Sequence, residues 1–146
     1  MKPDHYIAYW KWADYEGHDD QDAHHSNAPI LTRMGRGDVL WLFTRKPDTQ
    51  KIHMVQRIKI EKAGPALAKS SWAYGVAGYG NLQNVKAGTH PCWLEVIGRA
   101  STARGTKLRS KTAGKLCQRV QSPRQLAIET GEMLDAEWNK RIPKKP

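Results

Sequence analysis

The sequence predicts a mixed α+β fold, in which five to six strands form the body, helices flank them and a helix closes the C-terminus. Residues 39–43 are five consecutive apolar residues between turn residues, which is typical of a strand buried on both faces. Residues 51–61 then alternate between apolar and polar with a period of two, which indicates a second strand. Towards the C-terminus, apolar residues recur at helical spacing from Leu126 to Ile142.

The first element is a predicted strand over residues 5–12, with apolar side chains on both faces, as expected of a central strand. A polar stretch, 17–25, follows and holds three acids and three histidines in nine residues. Its spacing matches no established metal-ligand pattern, so a hydrated loop is the favoured interpretation. A metal site, a pH-sensitive loop and a loop that covers a substrate remain as alternatives.

The central pair of strands is predicted to form a β-hairpin after a turn at Gly35 and Gly37. In its second strand, one set of side chains is expected to point inward and the other into water. The inward set is Ile52, Met54, Gln56, Ile58 and Ile60. The outward set is Lys51, His53, Val55, Arg57, Lys59 and Glu61, of which Val55 is the only apolar member.

Later elements are predicted from shorter signals. Residues 72–79 alternate large and small side chains, as in a strand approached closely by another backbone or a flat ligand. Residues 92–99 form a near-continuous apolar run, predicted to be the last strand, and a short helix is expected over 113–118. Residues 122–125 have the form of a capping box, ahead of a helix over 127–141 that is ended by Pro143 and docks Trp138 in the core.

The charge of the chain is unevenly distributed. Two lysines face six acids in residues 1–31, whereas residues 99–124 hold eight basic residues and no acid. Such a tract attracts polyanions, although a solvated basic face is the simpler alternative. Seven of its cations are candidates for contact with phosphates: Arg99, Arg104, Lys107, Arg109, Lys111, Lys115 and Arg119.

Several classes of function find no support in the sequence. No apolar stretch is long enough to span a membrane, and no secretory signal segment precedes the first strand. The two cysteines are too few for a disulfide scaffold, which favours reduced thiols and a cytoplasmic location. No phosphate-binding loop or dinucleotide fingerprint is present. We therefore expect no cofactor and no resident metal.

Aromatic residues near strand ends are the strongest candidates for a binding site. A base removed from its stack can be held between such rings and recognised at its edge by amide side chains. The candidates for this base pocket are Trp10, Trp12, Tyr15, Trp41, Trp72, Tyr74, Tyr79 and Asn81. Because the chain has a single Phe, most of these rings must also serve in core packing.

Two groups of motifs resemble the PUA-like superfamily, particularly its EVE-type members. The first is a strand with Tyr6-x-x-Tyr9-Trp10, a polar segment and Gly37-Asp38-Val39-Leu40-Trp41 with its hairpin partner. The second is the series 108–111, 116–119 and 123–126, followed by a helix. The resemblance implies a pseudo-barrel of five to six strands, binding of RNA or DNA, and recognition of modified bases. It implies a pocket that uses Trp10 or Trp12, Trp41 or Phe43, and residues 72–79.

The sequence therefore predicts a single domain over residues 1–146 that binds nucleic acid, plain or modified, without catalysing a reaction. Two alternatives stay open. One is a small RNase-like enzyme on a scaffold that resembles ASCH domains, with a His or Lys acting beside the basic tract. The other is a protein-interaction or regulatory module, in which the charged loop pairs with a partner.

Overall fold

The computed structural model describes residues 2–17, 23–64, 73–80, 82–83, 85 and 92–141. The strands are β1 His5–Tyr9, β2 Ala23–Ser26, β3 Val39–Lys46, β4 Lys51–Gly64, β5 Tyr74–Tyr79 and β6 Arg124–Gln125. The α-helices are α1 Trp12–Glu16, α2 Leu94–Gly98, α3 Ala113–Arg119 and α4 Ile128–Arg141, and a 3-10 helix covers Pro29–Arg33.

The six strands form one curled sheet in the order β2-β5-β4-β3-β1-β6. Strands β1 and β3 run parallel, while the other neighbouring pairs are antiparallel. The predicted α+β class with a C-terminal helix is confirmed, and so is the interior position of β1. The first strand ends at Tyr9 and not at Trp12, which instead begins α1.

Helices cover both faces of the sheet, so β4 lacks the continuous solvent-facing side that was predicted, although Lys51 and Lys59 are exposed as expected. The first core lies between the sheet and α2, α3 and α4, and it includes Trp41, Val96 and Trp138. The second core lies on the other face, where Tyr15 of α1 and Leu31 of the 3-10 helix cover the sheet. The sheet is thus buried on both sides, as its apolar central strand requires.

A β-bulge at Val55 corrects the predicted division of β4 into two faces. Phe43 pairs with Met54, but the preceding Leu42 pairs with Gln56, so Val55 is the extra residue. One inserted residue changes the face of every residue beyond it. Ile52 and Met54 therefore enter the first core, whereas Ile58 and Ile60 enter the second. Of the predicted outward set, His53 is buried and Arg57 is half-buried.

Residues 92–99 do not form a strand. Leu94–Gly98 is the helix α2, and the buried residues within and beside it, Trp93, Val96, Ile97 and Ala100, belong to the first core. These positions are spaced i, i+3, i+4 and i+7, which is the pattern of one helix face. The apolar run obscured that spacing, because β-favouring residues occupy most of it.

The C-terminal half otherwise follows its prediction. A short helix occurs as α3, and α4 runs to Arg141 with Trp138 buried in the first core. The predicted capping box is wrong, because Arg124 and Gln125 pair with β1 and the helix begins only at Ile128. Pro143 lies outside the described residues. In the part of the chain that the structure describes, no helix is both long and apolar enough to cross a membrane.

The predicted polar loop is partly ordered as an edge strand. Residues Ala23–Ser26 form β2, which pairs with β5 at one end of the sheet. His24 lies opposite Val76 in this pairing and is only 8% exposed. Residues 18–22 of the polar segment lie outside the described residues.

Candidate functional site

A cavity of about 1450 Å³ opens where β1 and β3 end. Because these strands are parallel, their carboxyl ends meet at the same edge of the sheet, where ligands bind in many open sheets. The Trp10 N–H donates to the Phe43 carbonyl at 2.8 Å, which holds the two strand ends together. Segments 8–14, 23–30 and 114–123 supply most of the wall, and Arg45 enters from β3.

Trp10 forms an aromatic part of the wall. Its half-buried ring meets Tyr15 edge-on at 5.4 Å and His24 edge-on at 6.4 Å. Tyr15 is buried and held in place by its hydroxyl, which donates to the Gln83 carbonyl and accepts from the Val85 N–H at 3.0 Å. The Trp10 ring therefore has a fixed support on one side and cavity on another.

His24 supplies an uncharged polar edge to the same wall. Burial, together with the charge of neighbouring His25, lowers its pKa to about 4. The imidazole is consequently neutral near pH 7, with one nitrogen that donates and one that accepts a hydrogen bond. Such a group is better suited to hydrogen-bond the polar edge of an uncharged ligand than to bind a phosphate.

The opposite part of the wall combines a cation with two neutral groups. Arg45 is half-buried, and its charge acts on the Tyr9 phenol and the Cys117 thiol. Burial raises the pKa of both groups, and each group also affects the pKa of the other. Both are therefore uncharged at neutral pH.

Amide and hydroxyl groups surround this aromatic and cationic lining. Ser26 ends β2 and Asn27 follows it, while Gln118 and Gln121 reach the cavity from α3 and the turn after it. The Asn27 Oδ1 accepts from the Ala73 N–H at 2.9 Å, which fixes the orientation of that side chain. Amides of this kind can donate to and accept from the edge of a base.

Of the predicted pocket residues that the structure describes, Trp10 lines the cavity. Trp12 and Tyr15 lie behind it, with their rings 5.3 Å apart. Tyr74 is half-buried against the second core, and Tyr79 is 68% exposed at the end of β5. Trp72 and Asn81 lie outside the described residues.

Trp41 does not have the environment that was predicted for it. It is 0% exposed in the first core, where its Nε1 donates to His5 Nδ1 at 2.9 Å. Its ring meets Trp138 at 5.6 Å, and the Arg57 guanidinium lies 5.4 Å from its centroid. The prediction that Trp41 lines a base pocket is therefore wrong, because its face of β3 is covered by helices.

The basic tract reaches the cavity through α3. Gly114, Cys117 and Gln118 line the cavity, while Lys115 and Arg119 lie one position further round the helix and are exposed. Of the other predicted cations, Arg99 contacts Glu137 at 3.4 Å. Among the residues described, no ion pair is formed by Arg104, Lys107, Arg109, Lys111 or Lys115.

Sequence reasoning did not single out Tyr9, Arg45, Gln118 and Gln121 as site residues. The spacing of 114, 117, 118 and 121 marks one helix face and could have indicated the last two. For Tyr9 and Arg45, the deciding fact is the parallel pairing of β1 with β3. Within the described ranges, no three His, Cys, Asp or Glu side chains are grouped as metal ligands.

Comparisons with known proteins give no relatives. No family model, no curated protein and no solved structure matches this chain.

Proposed function

We propose that this chain is a PUA-like domain that binds nucleic acid and holds one unstacked base, plain or modified, in the cavity at the ends of β1 and β3. The curled six-stranded sheet with its C-terminal helix is compatible with such a pseudo-barrel. The observation that carries the proposal is the junction, through α3, of an acid-free basic tract with a cavity whose wall holds the Trp10 ring and several uncharged polar side chains.

The wall suits a base because it offers one ring and several uncharged hydrogen-bonding groups. Any of the bases can stack on an aromatic ring, and each such stack contributes about 1–3 kcal/mol to the binding free energy. Trp10 supplies the ring, while His24 and Gln118 supply edges that can donate and accept.

The size of the cavity favours more than a free base. Small-molecule sites usually enclose about 300–1,000 Å³, and this cavity is larger, at about 1450 Å³. Exposed cations beside it, Lys115 and Arg119, are placed to meet the phosphates of a strand whose base enters the cavity.

Trp10→Leu and Trp12→Leu are a matched pair for testing the proposal. Both tryptophans are half-buried and pack on Tyr15, but Trp10 lines the cavity and Trp12 does not. We expect Trp10→Leu to weaken binding of a short single-stranded oligonucleotide by about 5- to 150-fold, the equivalent of one lost stack. Trp12→Leu should change the affinity little.

The measurement is fluorescence anisotropy with labelled single- and double-stranded DNA and RNA, with and without modified cytosine, across a salt series. Salt should weaken binding steeply, because the basic tract releases counterions from the phosphates. Absence of binding at low salt would refute the proposal. If the two Trp variants bind the oligonucleotide equally well, the Trp10 ring does not hold a base and the chain is only an electrostatic binder.

A further inference from the structure

Arg45 is a half-buried cation inside the cavity without a carboxylate partner among the described residues. The next residue, Lys46, differs in this respect, because its Nζ lies 3.4 Å from an oxygen of Asp48. Asp14 is the carboxylate among the described residues that line the cavity, and it is exposed and forms no ion pair with Arg45.

The immediate neighbours of Arg45 do not neutralise it. Burial raises the pKa of Tyr9 and of Cys117, so neither group supplies an anion near pH 7. Removing a cation from water costs free energy unless an opposite charge compensates for it. A guanidinium offers a planar fork of donors, and phosphate is an anion that this fork binds through two parallel hydrogen bonds.

We propose that Arg45 is a phosphate subsite of the cavity, so that the cavity accommodates a whole nucleotide. The base packs against Trp10 and the phosphate binds Arg45. Trp10 and Arg45 both line the cavity, but from different faces of the sheet: Trp10 packs against the second core, and Arg45 lies two residues beyond Phe43 of the first core. A nucleotide held by both residues would therefore cross the end of the sheet. This inference rests on the proposed function, and it places one phosphate inside the cavity, apart from those met by the basic tract.

Gly114 gives the guanidinium its room. A Cβ at this position would lie 3.2 Å from Arg45 Nη1, closer than side chains normally approach. Gly114→Ala therefore displaces the guanidinium while every charge in the protein is kept. Because Gly114 lies within α3 and has no left-handed φ, alanine should leave the unfolding free energy unchanged or raise it.

The test compares Arg45→Gln and Gly114→Ala with Lys46→Gln as the control of equal charge change. Isothermal titration calorimetry measures binding of nucleosides, their 5′- and 3′-monophosphates and inorganic phosphate. Anisotropy measures binding of a short oligonucleotide. For the unaltered chain we expect a monophosphate to bind at least about tenfold tighter than its nucleoside, the effect of one charge-assisted contact.

Arg45→Gln should abolish the difference between monophosphate and nucleoside, and Gly114→Ala should reduce it while the urea midpoint is kept. Lys46→Gln should retain it. The inference is overturned if a monophosphate binds no tighter than its nucleoside, or if inorganic phosphate alone binds as tightly as the monophosphate. It is also overturned if Arg45→Gln weakens oligonucleotide binding no more than Lys46→Gln does.

The two proposals fail in different ways. Oligonucleotide binding that depends on Trp10 but not on Arg45 overturns the phosphate subsite and leaves the proposed function standing. An unaltered chain that binds no oligonucleotide at low salt refutes the proposed function itself.

Discussion

Replacing Gly131 in α4 with alanine should destabilise the fold, although alanine is the better helix former. Gly131 is buried against β1, and a Cβ there would overlap the His5 ring at Cδ2 and Cγ. His5 is itself buried, and its Nδ1 accepts a hydrogen bond of 2.9 Å from Trp41 Nε1. Either the ring or the helix has to move, and both movements disturb that bond.

Three terms determine the size of the effect. Overpacking a core costs about 1–3 kcal/mol, and an unsatisfied buried N–H of Trp41 costs about 1–3 kcal/mol more. The higher helix propensity of alanine returns about 1 kcal/mol. We therefore expect Gly131→Ala to lower the free energy of unfolding by about 1–5 kcal/mol, as measured by urea denaturation.

Gly114→Ala is the control, because its Cβ would meet only the mobile end of an arginine side chain. It should be neutral or stabilising. In a His5→Ala background, which removes the obstructing ring, Gly131→Ala should lose most of its cost, so the two changes are expected to be coupled. A Gly131→Ala variant as stable as the unaltered chain, or an equal cost in both backgrounds, would refute the packing argument.

Electrostatics gives two more expectations. The pKa of His24 is about 4 in the folded chain and 6.5 in the unfolded chain. Between these two values the unfolded chain binds one more proton than the folded chain does. The free energy of unfolding should therefore fall by about 3 kcal/mol as the pH drops from 6.5 to 4. Urea titrations at several pH values test this, and His24→Gln should flatten the slope; an unchanged slope would contradict it. Asp135→Asn should cost about 1 kcal/mol because Asp135 forms a half-buried pair of 2.7 Å with Arg57. Glu132→Gln, which loses an exposed pair with Lys2, should cost nothing measurable, and equal losses would show that burial of the pair is irrelevant.

The central hairpin could be predicted because its signals are local. A turn, an apolar run and a charged turn follow one another in the sequence, and they mark where β3 begins and where it passes into β4. The bulge at Val55 does leave a trace in the sequence, because Met54 and Val55 are adjacent apolar residues where the alternation requires a polar one. That break alone does not distinguish a bulge from an apolar residue on the outer face. Only the pairing with β3 and the two separate cores reveal that the faces exchange.

Gly131 shows what helix propensity alone does not reveal about α4. In isolation, a glycine inside a helix lowers its stability. Its place opposite the ring of His5, which is distant in sequence, makes the missing side chain a condition of packing. Likewise, the helical spacing within 92–100 is visible in the sequence, but choosing it over a strand requires knowledge of which residues meet the first core.

The two tryptophans of the paired strands explain which part of the site was predictable. Trp10 and Trp41 were equal candidates, because each belongs to an aromatic, apolar strand sequence. Trp41 lies in the middle of β3 opposite Ile7, on a face that helices cover, whereas Trp10 lies just beyond the end of β1. Parallel pairing then places Arg45 at the same edge of the sheet. The candidate site is therefore lined by residues at strand ends and not by residues on strand faces, and that distinction appears only when the register is known.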